Sequence, residues 1–351
     1  MKIKRIFVIC LIIFLTASVT AFSQEGDPPS DPNVPPKGLE ALQDAGKSFS
    51  EKLAQSLPFN STIGLNWSDA YIGQLLGVPP RFGVGLTVGT TLIPLDEMSA
   101  LFEMFDFDLP VKNFPIGLPL PSYTAEARIG GLILPFDLGV KFGYIPSFNI
   151  PYVDIGVRHL ILGADLRYSL LPKNTPILKL SIGVGYNYLN GGLSRDINLD
   201  IAPFEFDDDI TGKKYSLSIE NPNVALNWQT HCFEAKAQAS FFLILFTPYI
   251  GAGFSYAKSE AGYHVNTKVS VKEGDIEMDE LSEEVIELMS ALGLGNISDN
   301  GFGAVFPIEG YNVRVYGGVC FNIAMAKIDL TLMYNIFSKS IGGTIGVRAQ
   351  F

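Results

Sequence analysis

Three histidines, His159, His231 and His264, are the whole imidazole complement of the chain, and none stands at metal-ligand spacing from a second His, a Cys or a carboxylate. A lipid-acting enzyme in a barrel rim would need one of them beside a strand serine, a role the sequence leaves open to His159 and His231. The run GVGLTVG at 83–89 has the glycines of a phosphate-cradling loop. They recur at period 2 and no helix follows, so they read as small residues on one face of a strand. Cys232 and Cys320 are too few for a disulfide scaffold, and a strand at 247–258 should lie between theirs. Two inter-strand spacings of about 4.8 Å exceed the roughly 7 Å that a bridge tolerates between Cα atoms, so two free thiols are expected. No metal, cofactor or catalytic residue is assigned.

The charges that alternate with apolar residues are more informative. Arg81, Arg128, Lys141, Arg167, Lys179, Lys236, Arg314, Lys327 and Arg348 share a face with Glu126, Asp137, Asp165, Glu234 and Asp329. Nine positive positions against five negative make that face cationic in a chain whose formal net charge is −11. Two uses are open. The groups can pair across neighbouring strands and fill a narrow interior, or they can line a pathway for solutes that tolerates anions, with Arg81, Arg128, Lys141, Arg167, Lys179, Lys236, Arg314 and Arg348 as the lining candidates.

Only strands place residues at this period. Phe82, Val84, Leu86 and Val88 oppose small or polar residues, and the same alternation returns at 136–144, 179–189, 233–241, 311–321 and 327–336. Two segments slip phase: Val153, Ile155 and Val157 against Leu166, Tyr168 and Leu170, and Trp228 against Phe233. Both read as bulges, near Gly163 and Thr230. Short turns at about 132–135, 172–176, 245–248 and 323–326 alternate with long loops at about 92–121, 190–224 and 260–309, the asymmetry of outer-membrane barrels. Helical spacing recurs at 278–293 and 94–105 inside two of those loops. The last strand, IGGTIGVRAQF, ends on the aromatic Phe351, a terminal signal of the kind that barrel-assembly machinery reads.

The start of the chain is different. Lys2, Lys4 and Arg5 precede the apolar run 6–16, and Ala21 and Ser23 fit a cleavage site, so 1–23 is expected to be a signal peptide. Its removal takes the formal charge from −11 to −14, much of it in acidic stretches at 196–209 and 273–287. That argues against a nucleic-acid partner. Residues 24–36 form a Pro-rich linker. Residues 37–58 form an amphipathic helix of about five turns, with Leu39, Leu42, Phe49, Leu53 and Leu57 on one stripe. No later run is long and apolar enough for a membrane-spanning helix.

The stretches NWSDAYIGQLLGVPPRFGVG (66–85), ILGADLRYSLL (161–171), NPNVALNWQTHCFEAKAQAS (221–240) and LFTPYIGAGFSYAKSEAGY (245–263) resemble an uncharacterised family of predicted outer-membrane barrels of spirochaete type. That resemblance implies a location and an architecture, with no substrate attached. A looser likeness, resting only on the position of the 37–57 helix, is to FadL-type transporters, whose N-terminal segment plugs a barrel. The expected fold is thus a transmembrane antiparallel up-and-down β-barrel of 10–14 strands over 59–351, with a helix that plugs the lumen or sits beneath it. The leading function is passage of small or apolar solutes by a transporter or narrow porin. The alternatives are a surface structural or adhesive barrel with an occluded lumen, and an outer-membrane lipid-acting enzyme. Expected partners are outer-membrane lipid and the assembly machinery; nothing in the sequence sets an oligomeric state.

Overall fold

Every second residue of the last two strands is buried, and those between face outward. This is what a sheet does when one side meets lipid and the other a filled interior. The computed structural model describes residues 37–72, 81–93, 118–131, 135–150, 155–171, 175, 177–196, 204–207, 214–273, 276–277, 296–298, 301–323 and 325–351. Among them one helix, α1 (Lys37–Ser61), precedes the strands β1 (Arg81–Ile93), β2 (Leu118–Gly130), β3 (Phe136–Ile150), β4 (Ile155–Ser169), β5 (Leu178–Asp196), β6 (Phe204–Asp207), β7 (Lys214–Phe241), β8 (Phe246–Glu273), β9 (Ile276–Glu277), β10 (Asn296–Ser298), β11 (Gly301–Ile323), β12 (Ala326–Asn335) and β13 (Ile341–Gln350).

Ten of these close into a barrel in the order β1-β2-β3-β4-β5-β7-β8-β11-β12-β13, each pair antiparallel, with β13 returning to β1. Closure removes the edges that no water could satisfy within a bilayer. At the seam Phe351 N donates to Phe82 O at 2.8 Å, and the two rings stack with centroids 5.0 Å apart. The ladder is complete between β1 and β2, but β2 and β3 pair only from Ala125/Phe142 to Gly130/Asp137. Pro119 and Pro121, which offer no N–H, fall on the stretch of β2 that β3 leaves uncovered, and Pro146 falls at a register shift in β3.

The outer surface fixes the depth of the barrel in a membrane. Tyr186, Phe233, Tyr256 and Tyr311 are successive partners across β5, β7, β8 and β11. At the other end Phe246 pairs with Phe321 and Phe136 with Tyr168. Between the two aromatic rows the outward residues are apolar, among them Ile250, Phe254 and Val315. Phe246 to Tyr256 is ten steps along β8. At about 3.3 Å per residue and a tilt of about 40°, those steps cover roughly 25 Å, the height of the apolar band of an outer-membrane barrel. The turns between β2 and β3, β4 and β5, β7 and β8, and β11 and β12 lie at the Phe246 end, which is therefore the periplasmic end.

Several expectations need correction. Among the described residues the first strand begins at Arg81, and 59–72 lies in the lumen rather than the wall. The long loops are shorter than expected, because β7 and β8 run for 28 residues each and β11 for 23, taking in much of 190–224 and 260–309. The bulges near Gly163 and Thr230 do not exist: β4 pairs with β5, and β5 with β7, in unbroken register. Ile161 and Trp228 point inward because an apolar helix waits there. The helical runs at 278–293 and 94–105 lie outside the described residues. Cys232 and Cys320 are free, and β8 separates their strands.

Candidate functional site

The inner face is defined by what fills it. Leu53 and Leu57, one helical turn apart on α1, and Ala54 beside them are 4% exposed or less, and pack on Ile93, Ile161, Leu189, Trp228 and Ala261 of β1, β4, β5, β7 and β8. Below them Phe59 and Ile63 meet Tyr249, Tyr316 and Met333. The wall is apolar where the helix touches it and charged further down, so the two halves of the plug are held by different forces.

The helix has no basic residue in its last turn, and the wall supplies the cation instead. Lys141 Nζ donates to Ser61 O and Ile63 O, both at 2.6 Å, satisfying carbonyls at the negative end of the helix. The chain then turns at Gly64, whose φ is +89°; a Cβ there would meet Thr124 Oγ1 at 2.6 Å. Beyond the turn Glu126 Oε2 accepts from Leu65 N at 3.0 Å and from Trp67 Nε1 at 2.5 Å. The Trp67 ring lies against Gly83, with the guanidinium carbons of Arg128 and Arg348 at 5.6 and 4.6 Å from its centre.

Asp69 is the hub of the lower half. Fully buried, it meets Lys327 Nζ at 2.7 Å, Arg348 Nη2 at 3.0 Å and Lys179 Nζ at 3.6 Å, cations from β12, β13 and β5. The wall acids take four more cations. Asp137 holds Arg128 at 2.6 Å and Arg167 at 2.7 Å, Asp165 holds Lys236 at 2.6 Å and Glu234 holds Arg314 at 2.5 Å. Other donors serve the plug backbone: Arg167 bonds Asp69 O at 2.8 Å, Arg128 bonds Leu65 O at 3.3 Å and Gln238 bonds Trp67 O at 2.7 Å. Buried charges and buried peptide groups both require partners, and here each supplies the other.

The structure thus brings Arg128, Lys141, Arg167, Lys179, Lys236, Arg314 and Arg348 to the inner face and buries all of them. Arg81, the first residue of β1, is half-buried. Phe351 is outward and 42% exposed at the seam. A cavity of about 10 Å³ bordered by Gly64, Asn66, Trp67, Asp329, Thr331 and Arg348 holds about one water. Sequence reasoning missed Asp69, Trp67, Asn60 and Asn66. The available signal was NWSDAY (66–71), a polar and aromatic stretch that lacks the alternation of every strand around it.

The histidines stay apart. His159 is buried on the inner face with Nε2 3.4 Å from Ser122 Oγ, and His231 faces outward with Nδ1 2.7 Å from Tyr186 Oη. Among the described residues no three His, Cys, Asp or Glu side chains are grouped as a metal site would need.

Comparison with solved structures returns outer-membrane barrels. The outer-membrane protease OmpT of Escherichia coli is 11% identical at a TM-score of 0.34, with 79% of this chain and 99% of that one covered. The translocator domain of the autotransporter NalP from Neisseria meningitidis is 8% identical at 0.36, covering 89% and 98%. The toluene transporter TodX of Pseudomonas putida is 8% identical at 0.25, covering 82% and 93%. A search of curated proteins returned no match. The Lsa36-like family matches residues 121–351, from within β2 through the closing strand, and leaves out the plug. On that match, which spans well over half of its length, the chain belongs to the Lsa36-like family.

Proposed function

We propose that this outer-membrane barrel is a sealed anchor whose working part is the sheet it holds outside the cell. The observation that carries the reading is Asp69, buried among Lys179, Lys327 and Arg348, which ties the plug to three strands of the wall. Among the described residues, the buried inner cations hold the plug and the wall acids, which supports a lumen closed to charged solutes. Beyond the outer aromatic row β8 continues from Tyr256 to Glu273 and β7 from Phe233 back to Lys214, and with β11 they project a sheet carrying β6, β9 and β10. A barrel needs strands of about 9–11 residues to cross the bilayer, so the extra length serves something outside it. Export by removal of 1–23 and delivery by the assembly machinery, which would read Phe351, complete the proposal.

Planar-bilayer recording tests it: the intact protein should show no conductance steps, and removal of 37–72 should produce them. Regular open steps from the intact protein would sink the sealed anchor. A second reading, a gated path for apolar solutes, is favoured by one observation. Withdrawal of α1 would expose a lumen lined by Ile93, Ile161, Leu189 and Trp228. Uptake of an apolar dye that stops when the plug is cross-linked to the wall would select it.

A further inference from the structure

We infer that α1 carries whatever precedes Lys37 through the barrel to the outside of the cell, so that the protein presents its own N-terminal segment at the surface. This goes beyond the anchor function and shares with it only the orientation of the barrel.

The contacts of the plug run in one direction. Ile72 N donates to Asp137 Oδ2 at 3.1 Å and Ala70 N to Ser240 Oγ at 3.1 Å, at the periplasmic ends of β3 and β7. Leu65 meets Glu126 near the middle of β2. Asn60 Nδ2 donates to Thr91 Oγ1 at 3.0 Å and to Leu120 O at 2.8 Å, near the outer ends of β1 and β2. Leu53 and Leu57 pack at the level of Ile93, the last residue of β1, and of Ala261. Ala261 is five residues beyond the outer aromatic Tyr256 along β8, which places this cluster about 12 Å above that row.

From Leu53 the helix continues for sixteen residues to Lys37. At about 1.5 Å per residue that is roughly 24 Å further along the same axis. The other end of the plug leads to Arg81 at the periplasmic rim. The wall between is closed, with β13 on β1 and β11 on β8. A chain that enters a closed ring at one rim and leaves at the other is threaded through it. The thread is also anchored, apolar above and ionic below, so its outer end is held at a fixed height. The segment just before Lys37, QEGDPPSDPNVPP, is acidic and proline-rich and suits presentation in water rather than burial.

Thiol labelling of intact cells tests the inference, because the native Cys232 and Cys320 are both buried and give low background. Three variants are compared with the unmodified protein, using a membrane-impermeant maleimide: Asn33→Cys before the helix, Asn174→Cys in the β4–β5 turn, and Lys339→Cys in the β12–β13 connection. Each is first checked for the folded, heat-modifiable band. Asn33→Cys and Lys339→Cys should label on intact cells, and Asn174→Cys only after the outer membrane is permeabilised, with at least a tenfold difference in signal. Labelling of Lys339→Cys but not Asn33→Cys on intact cells would overturn the threading while leaving the anchor standing. Labelling of Asn174→Cys alone would invert the barrel and remove both readings.

Discussion

Asp69 Oδ2 and Arg348 Nη2 lie 3.0 Å apart across 279 positions of sequence, joining the plug to the strand that closes the barrel. Lys327 and Lys179 complete the cluster, so one carboxylate on a short irregular segment is shared by cations from three strands. Losing one partner of such a group leaves buried charges uncompensated, which costs far more than the pair contributes.

Asp69→Ala should therefore destabilise the folded barrel by about 3–5 kcal/mol. The measurement is the temperature at which the compact band converts to the unfolded one in detergent. Asp69→Asn keeps the shape and loses the charge, and should fall most of the way to the alanine variant. An unchanged conversion temperature for both would mean that the cations find water or other partners.

Ser68 Oγ and Cys320 Sγ both contact Arg348 Nη2, at 2.7 and 3.9 Å. Ser68→Cys should form a disulfide with Cys320 under mild oxidation, visible as a mobility shift that reductant reverses. Failure to cross-link in the folded protein would place the plug elsewhere. The locked form is also the reagent that separates a permanent seal from a gate.

Gly83 has no room for a side chain, since a Cβ would lie 2.8 Å from the Trp67 ring. Gly83→Leu should displace the plug and spare the wall. The expected result is conductance steps from a protein that still runs as a compact band, together with faster proteolytic cleavage between 62 and 72. A silent, protease-resistant variant would show that the ring can move aside.

Leu57 is fully buried in the apolar half of the plug. Leu57→Ala should cost about 2–5 kcal/mol of stability. Its effect should add to that of Asp69→Ala, because the apolar and ionic contacts lie at different levels of the barrel. Strong non-additivity in conversion temperatures would show that the plug docks as one cooperative unit.

Deletion of Phe351 removes a ring stacked on Phe82 and two seam hydrogen bonds. The fraction of protein reaching the outer membrane in folded form should drop several-fold. Deletion of the exposed Lys339 should change it little.

The wall was legible in the sequence because lipid enforces a strict rule on one side of each strand. Phe82 to Val88 or Ile345 to Phe351 can be read without their neighbours. The plug obeys no such rule. Trp67 and Asp69 are held by Glu126, Lys179, Lys327 and Arg348, and no local period connects residues so far apart. The trace it does leave is the phase slip ahead of Leu166 and at Trp228: Ile161 and Trp228 are inward apolar residues, which a water-filled lumen would penalise and a helix rewards. The strand extensions beyond Tyr256 and Tyr311 look like loops in the sequence because the membrane rule ends at the aromatic row.

The seam between β1 and β13 gains another meaning from the plug. A ring that closes around a thread must either be wound about it or be laced afterwards. Here the thread carries a folded helix at one rim and runs on to the first strand at the other, so winding is the simpler course. Residues 53–72 would then serve as a mandrel that speeds the closing, while girth and stagger stay written in the pairing of the strands before the last stave is driven home. A protein that loses this core would build the same wall more slowly, and would lack its stopper.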